Sequence, residues 1–365
     1  MNILLMSTHL NTGGITSYML TLSKGLVKRG HRVHIAASGG NMERDFRAIG
    51  AQVLLLDIRT KSEIDPRVYL ALRPLKDHIL ENGVQCIHAH TRITQVMGAL
   101  LKKRTGRPYL STCHGYFKNR LSRWLFPCWG DKVIAISHAV ETHLKNDFKV
   151  PMEKIALIES GIDLDEFAPV TEGIKIANRK RFDLGGGPVI GTVARLSEVK
   201  GQDVLIEAMP RVIADVPDAK LVLAGVGRTE KTLRSMVSRL GLDGHVRFFS
   251  LVNKTSEMLN LLDVFVMPSR QEGLGLSIME AQAAGVPVVA SRVGGIPSLI
   301  EDGRTGILVE PENAQALSSA ITSLLVERER ARAMGLSGRE AVRSTHSADN
   351  MVHKTIEVYQ SLVKG

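Results

Sequence analysis

Two hydrophobic periods take turns along the chain. Short apolar runs, Ile3–Ser7, Val33–Ser38, Val53–Leu56, Cys86–Ala89, Tyr109–Thr112 and Val133–Ile136, read as strands. Between them apolar residues recur at helical spacing. Tyr18, Leu22 and Leu26 share one face of a predicted helix, Ser17–Arg29, and Gly30 stands just past its end. Pro66–Leu80, Thr94–Lys103 and His138–Lys145 also read as helices. Lys175–Pro188 is rich in basic residues and glycine and reads as a hinge. The alternation then restarts, with strands Val189–Ala194, Leu221–Ala224, Val246–Phe249, Val264–Met267 and Val286–Ala290. Helices Val204–Ile213, Lys231–Leu240, Ser256–Leu261 and Leu276–Ala284 lie between them, and a long helical stretch follows from Ala314. Strands separated by helices imply a parallel sheet with helices on both faces. The fold class is therefore α/β, with two doubly wound, Rossmann-like halves. Ligands of such sheets bind beyond the carboxyl ends of the strands, and two facing halves would form a cleft.

Composition narrows the class. A chain of 365 residues suits two domains at about 150 residues each. With 44% hydrophobic and 23% charged residues it has enough apolar surface to fold, so disorder is disfavoured. Apolar stretches such as Ala283–Ala290 fall short of the roughly 18 residues of a membrane span. Ile3–Met6 is too short for a signal-peptide core. Three cysteines, at 86, 113 and 128, lack metal-ligand spacing and suggest a reduced, cytoplasmic compartment. Nearly all of the +10 formal charge lies in residues 1–165, and Thr91–Gly130 holds eight basic residues and no acid. Such a surface suits phosphates or anionic lipid, or is simply a solvated face. No nucleic-acid-binding module is recognisable, so nucleic acid is not an expected partner.

The candidate chemistry sits at predicted strand-to-helix turns. Gly13 and Gly14 would let backbone N–H groups approach an anion at a helix start, or form a plain tight turn. Arg195 and Lys200 follow the first strand of the second half and could clamp a diphosphate, or be solvated. The most informative stretch is Glu272-Gly273-Leu274-Gly275-Leu276, with Glu280 two turns into the next helix. A carboxylate can accept from two hydroxyls at once, so Glu280 could hold a ribose and Glu272 a sugar ring. The alternative for Glu280 is a helix-surface salt bridge. His88, His90 and His114 follow apolar segments, but no convincing ligand spacing completes a zinc site, and no metal is expected. Asp163-Leu164-Asp165 reads as turn-forming.

Together these residues resemble glycosyltransferase family 4, the retaining nucleotide-sugar transferases of GT-B fold. The resemblance runs in order through Thr12-Gly13-Gly14-Ile15, Gly30-His31-Arg32-Val33, Gly161-Ile162-Asp163, Phe167-Ala168-Pro169, Arg195 with Lys200-Gly201, and Glu272 with Glu280. It ends with Ala284–Ala290 and Gly294-Gly295-Ile296-Pro297. It departs at Ser160, where Asn is usual, and at Ser250, where Gly is common. The resemblance implies that Arg195 and Lys200 bind the donor diphosphate, that Glu280 holds ribose and that Glu272 meets the donor sugar. It also implies that the Gly13-Gly14 loop and His114 complete the donor site, and that a segment around Val252 contacts the base. Catalytic roles would fall to His114, Arg195, Lys200 and Glu272. The remaining donor contacts would be Gly13, Gly14, Val252, Gly273, Leu274, Gly275, Leu276 and Glu280.

On that resemblance, residues 1–170 plus a returning helix at 349–365 form the acceptor-side domain, and 171–348 the donor domain. The expected activity is retaining, metal-independent transfer of a hexose from a nucleotide sugar to a glycan or lipid-linked hydroxyl. Uridine diphosphate is the default carrier and guanosine diphosphate the alternative. No cofactor is expected beyond the donor itself. The product would be a cell-surface polysaccharide or lipopolysaccharide. A sugar-nucleotide epimerase and a catalytically silent binding protein are the other readings. Lys118, Arg120, Arg123 and Trp124 lie in a basic, aromatic segment that would meet an anionic membrane at its inner face, or be a core-packed helix with a solvated basic side.

Overall fold

A computed structural model describes residues 1–117, 121–250 and 255–364. The chain forms two compact units, Met1–Gly161 with Ala348–Gly365, and Ile162–Ser347.

The first unit is a seven-stranded parallel sheet. Its strands are β1 (Asn2–Met6), β2 (Arg32–Ala37), β3 (Gln52–Leu55), β4 (Cys86–Ala89), β5 (Tyr109–Cys113), β6 (Lys132–Ala135) and β7 (Ile155–Leu157), in the order β3-β2-β1-β4-β5-β6-β7. Strand β1 lies inside the sheet, with Leu4 opposite both His34 and Ile87. Burial on both faces explains why it reads as an unbroken apolar run. The strand order switches between β1 and β4, the kind of point at which successive loops part to opposite sides of the sheet. Helix Gly14–Lys28 buries Tyr18, Met19, Leu22 and Leu26. The late helix Ala348–Lys364 lies against it and against β4.

The second unit is a six-stranded parallel sheet. Strands β8 (Val189–Val193), β9 (Lys220–Ala224), β10 (Val246–Phe249), β11 (Val264–Met267), β12 (Val288–Ser291) and β13 (Ile307–Val309) run in the order β10-β9-β8-β11-β12-β13. Helices Gln202–Asp215 and Ala314–Val326 cover one face, with Leu205, Met209, Leu317 and Ile321 in one core.

Several expectations change. Residues 162–170 belong to the second unit: the Ile162 amide donates to the His346 carbonyl at 3.0 Å. The first half of the expected hinge, up to Arg181, lies in helix Glu172–Arg181, where Lys175 and Arg179 reach Asp263 at 2.8 and 2.6 Å. Predicted helix Pro66–Leu80 is two helices, Pro66–Leu70 and Leu72–Glu81. Short β7, β13 and helix Glu43–Ala48 have no counterpart in the sequence pattern. Among the described residues no helix is long and apolar enough to cross a membrane.

Candidate active site

In the second unit the chemistry gathers at the carboxyl ends of β8, β11 and β12. After β8 the chain runs through Arg195 into a short turn, Glu198–Lys200, and on to Gly201. Gly201 has φ 65°, and a Cβ there would stand 1.9 Å from the Pro268 carbonyl oxygen, so only glycine lets the two loops touch. Gly294 approaches the Glu272 carbonyl in the same way, and the Gly295 amide donates to that carbonyl at 3.2 Å. The loops after β8, β11 and β12 are thereby locked together.

This locking brings Lys200 and Glu272 into an ion pair, both largely shielded from solvent. The second Glu272 oxygen accepts from the Gly273 amide at 3.2 Å. Gly273, Leu274 and Gly275 are buried, Leu276 half-buried, and helix Leu276–Ala283 starts directly after Gly275. Arg195 is exposed, and its side chain has no ion pair among the described residues. The hydroxyls of Ser197 and Ser269 are buried and find no hydrogen-bond partner among the described residues.

Glu280 is the anomaly. Its side chain is only 9% exposed and makes no hydrogen bond or ion pair among the described residues. Burial, with the Glu166 carboxylate second, pushes its carboxyl up to about 8. A helix-surface salt bridge is therefore excluded. A buried carboxyl without a partner invites a ligand that supplies hydroxyl donors. Val252 lies outside the described residues.

The first unit furnishes its sheet edge differently. Gly13 precedes helix Gly14–Lys28, which has no side-chain cap and no acid in its first turn. Both glycines are exposed, and the loop is held by Thr12 and Asn41, whose side chains bond at 2.7 Å. His88, His90 and His114 lie at or just beyond the ends of β4 and β5. His88 bonds Tyr359 Oη and Thr112 Oγ1, each at 2.7 Å. His90 Nδ1 meets His114 Nε2 at 3.1 Å. Burial holds His114 down to about 3, so the ring is neutral and offers hydrogen bonds rather than charge. Among the described residues no group of three or more His, Cys, Asp or Glu side chains could hold a metal ion.

In the basic, aromatic segment Arg123 departs from the expectation. Arg123 is buried, stacked 3.9 Å from the Phe117 ring centroid and bonded to Gln95 Oε1 at 3.2 Å. It cannot face lipid phosphates. Leu121, Leu125 and Phe126 are exposed instead, as is much of Trp124. Lys118 and Arg120 lie outside the described residues. Sequence reasoning also missed Arg92, which binds Glu63 through two bonds of 2.8 Å and donates to the carbonyls of Phe126 and Pro127 at 2.8 and 3.0 Å.

Residues 12–166 match Glycosyltransferase Family 4, and residues 175–341 match Glycosyl transferases group 1. Two wound parallel sheets and these matches together place the chain in the family-4 glycosyltransferases of GT-B fold. A GDP-mannose-dependent alpha-(1-6)-phosphatidylinositol monomannoside mannosyltransferase of Mycolicibacterium smegmatis is 37% identical over 218 residues, covering 57% of this chain and 56% of the relative. The match thus spans little more than half of that relative's length. A glycosyltransferase of Methanocaldococcus jannaschii is 27% identical over 95% of this chain and 94% of its own. HepE of Anabaena, solved with UDP-glucose, has TM-score 0.88 at 21% identity over 99% of each chain. A Rickettsia africae glycosyltransferase has TM-score 0.86 at 23% identity, covering 100% of this chain and 99% of its own. These structural likenesses show the fold.

Proposed function

We propose that this protein is a retaining, metal-independent hexosyltransferase. It takes its sugar from a nucleoside-diphosphate donor and places it on a hydroxyl of a lipid-linked or glycan acceptor. The observation that carries the reading is Glu280, buried and unpartnered beyond the paired Lys200 and Glu272. Ribose hydroxyls would satisfy it, and Glu272 would turn from Lys200 to the sugar. Lys200 and the free Arg195 would then meet the diphosphate. As the C1–O bond to phosphate breaks, these cations take up the growing negative charge, the role a metal fills elsewhere. The acceptor oxygen forms the new C1–O bond on the same face and gives its proton to the departing phosphate. The family resemblance supplies this mechanism, along with the roles of Gly13, Gly14, His114 and Val252.

Relatives named for GDP-mannose and phosphatidylinositol mannosides favour GDP-mannose over a uridine donor, and a lipid-linked acceptor over a free glycan. Exposed Leu121, Leu125 and Phe126 support contact with the inner, anionic face of the membrane through apolar side chains. Calorimetric titration with GDP and with UDP tests the donor site. One of the two is expected to bind wild-type protein and to bind Glu280→Gln more weakly. If neither binds, the reading fails.

A further inference from the structure

The ion pair between Lys200 and Glu272 does not stand alone. Two residues before Glu272, the Arg270 guanidinium bonds a separate set of partners. It grips Asp203 through two bonds, Nη1 to Oδ1 at 2.9 Å and Nη2 to Oδ2 at 2.7 Å. Its Nη1 also donates to the Glu198 carbonyl at 2.7 Å, and its Nε to Glu312 Oε1 at 2.9 Å. Its own amide donates to the Val199 carbonyl at 2.9 Å, one residue before Lys200. One side chain therefore ties together the segment after β8, the loop after β11 and the turn after β13. With four of its five N–H groups engaged, it is a strut and not a ligand contact.

Two details support a dedicated role. Glu312 holds a left-handed backbone with φ 59°, unusual for a residue with a Cβ, and its carboxylate meets Arg270. Burial alone would raise the Asp203 carboxyl, yet the Arg270 hydrogen bonds and charge hold it below its usual range. The exposure of these ion pairs means that each adds little to global stability. What they fix is local: the separation of the Lys200 turn from the Glu272 loop.

We propose that Arg270, through Asp203 and Glu312, is a positioning residue that sets the spacing of Lys200 and Glu272 for the sugar diphosphate. This rests on the donor reading of that pair given above. Only a bidentate fork spans both carboxylates and the carbonyl, so lysine is a poor substitute. Misplacement of a catalytic group by about 1 Å can cost roughly a hundredfold in rate.

The test measures turnover and KM with GDP-mannose and with UDP-glucose, following nucleoside diphosphate release, together with melting temperature. Arg270→Ala is expected to lower kcat by roughly tenfold to a hundredfold. KM and melting temperature should change little, and Arg270→Lys should recover only part of the rate. In a Lys200→Ala background, Arg270→Ala should add almost nothing, because its effect passes through Lys200. A kcat within twofold of wild type for Arg270→Ala, beside a crippled Lys200→Ala, overturns the strut and leaves the donor reading standing. Fully additive losses reduce Arg270 to a general structural part and also overturn it. An active Lys200→Ala, or no release from either donor, overturns the donor reading and the strut together.

Discussion

The same wound parallel sheet ends in rings in one unit and in charges in the other. At the carboxyl edge of the first, His88, His90 and His114 cluster with Tyr18 and Tyr359, and burial keeps the imidazoles neutral. At that of the second stand Arg195, Lys200, Glu272 and the Arg270 strut, and Glu280 is buried in the helix that follows the Glu272 loop. A neutral imidazole can share one proton with a hydroxyl but cannot neutralise a phosphate. The second edge is therefore the one equipped for an anionic ligand. The two edges also answer pH in opposite senses. The imidazole pKa values fall below 6.5 on folding, so the stability they contribute is present above 6.5 and is lost as pH falls towards about 3. The Glu280 value rises above 4.5, so its contribution is present below 4.5 and is lost as pH climbs through about 8.

The largest expected effect breaks the comparison outright if it fails. Lys200→Ala should lower turnover by roughly a hundredfold to a thousandfold while circular dichroism and melting stay near wild type. Near-normal rates would mean that the charged edge does not serve the donor. Next, Glu280→Gln should weaken nucleotide binding by about tenfold or more. It should also melt higher than wild type at pH 8 and flatten a stability slope of roughly 1.4 kcal/mol per pH unit. A slope unchanged between pH 5 and pH 8 would remove the buried carboxyl from the argument.

The first edge gives smaller changes. Both tryptophans, Trp124 and Trp129, lie in the first unit, so their fluorescence reports that unit alone. Urea unfolding followed this way should show stability dropping between pH 7 and pH 5. His90→Gln should make that drop shallower by about one proton. An equal drop in the variant would show that His90 already titrates normally. Least of all, Phe126→Ser should reduce partition onto anionic vesicles by about tenfold, the transfer of one aromatic side chain. Arg123→Gln should leave partition unchanged, since that guanidinium faces inward. The reverse ranking would restore a charge-led membrane contact.

What the sequence made legible was whatever local pattern encodes. Alternating periods foretold nearly every long strand and helix, and glycines spaced around Glu272 marked the loop where backbones must touch. What stayed hidden depends on partners far along the chain. Lys175 and Arg179 look like part of a basic linker until Asp263, the residue before β11, arrives to hold them as a helix. Arg123 looks solvent-bound until Gln95 and Phe148, from two other helices, join Phe117 and Trp129 around it. Asp203 and Glu312, which fix Arg270, come from the start of helix Gln202–Asp215 and from the turn after β13. Spacing alone points to Glu280, but its lack of a partner among the described residues shows only once the helix is buried.

The bond from Tyr359 to His88 joins positions 271 residues apart. The second unit, by contrast, is one continuous stretch, Ile162–Ser347. A ribosome delivering this chain therefore releases every part of the later domain before it releases the closing helix of the earlier one. The order of synthesis and the order of completion are reversed, and until residue 359 emerges His88 lacks its tyrosine partner.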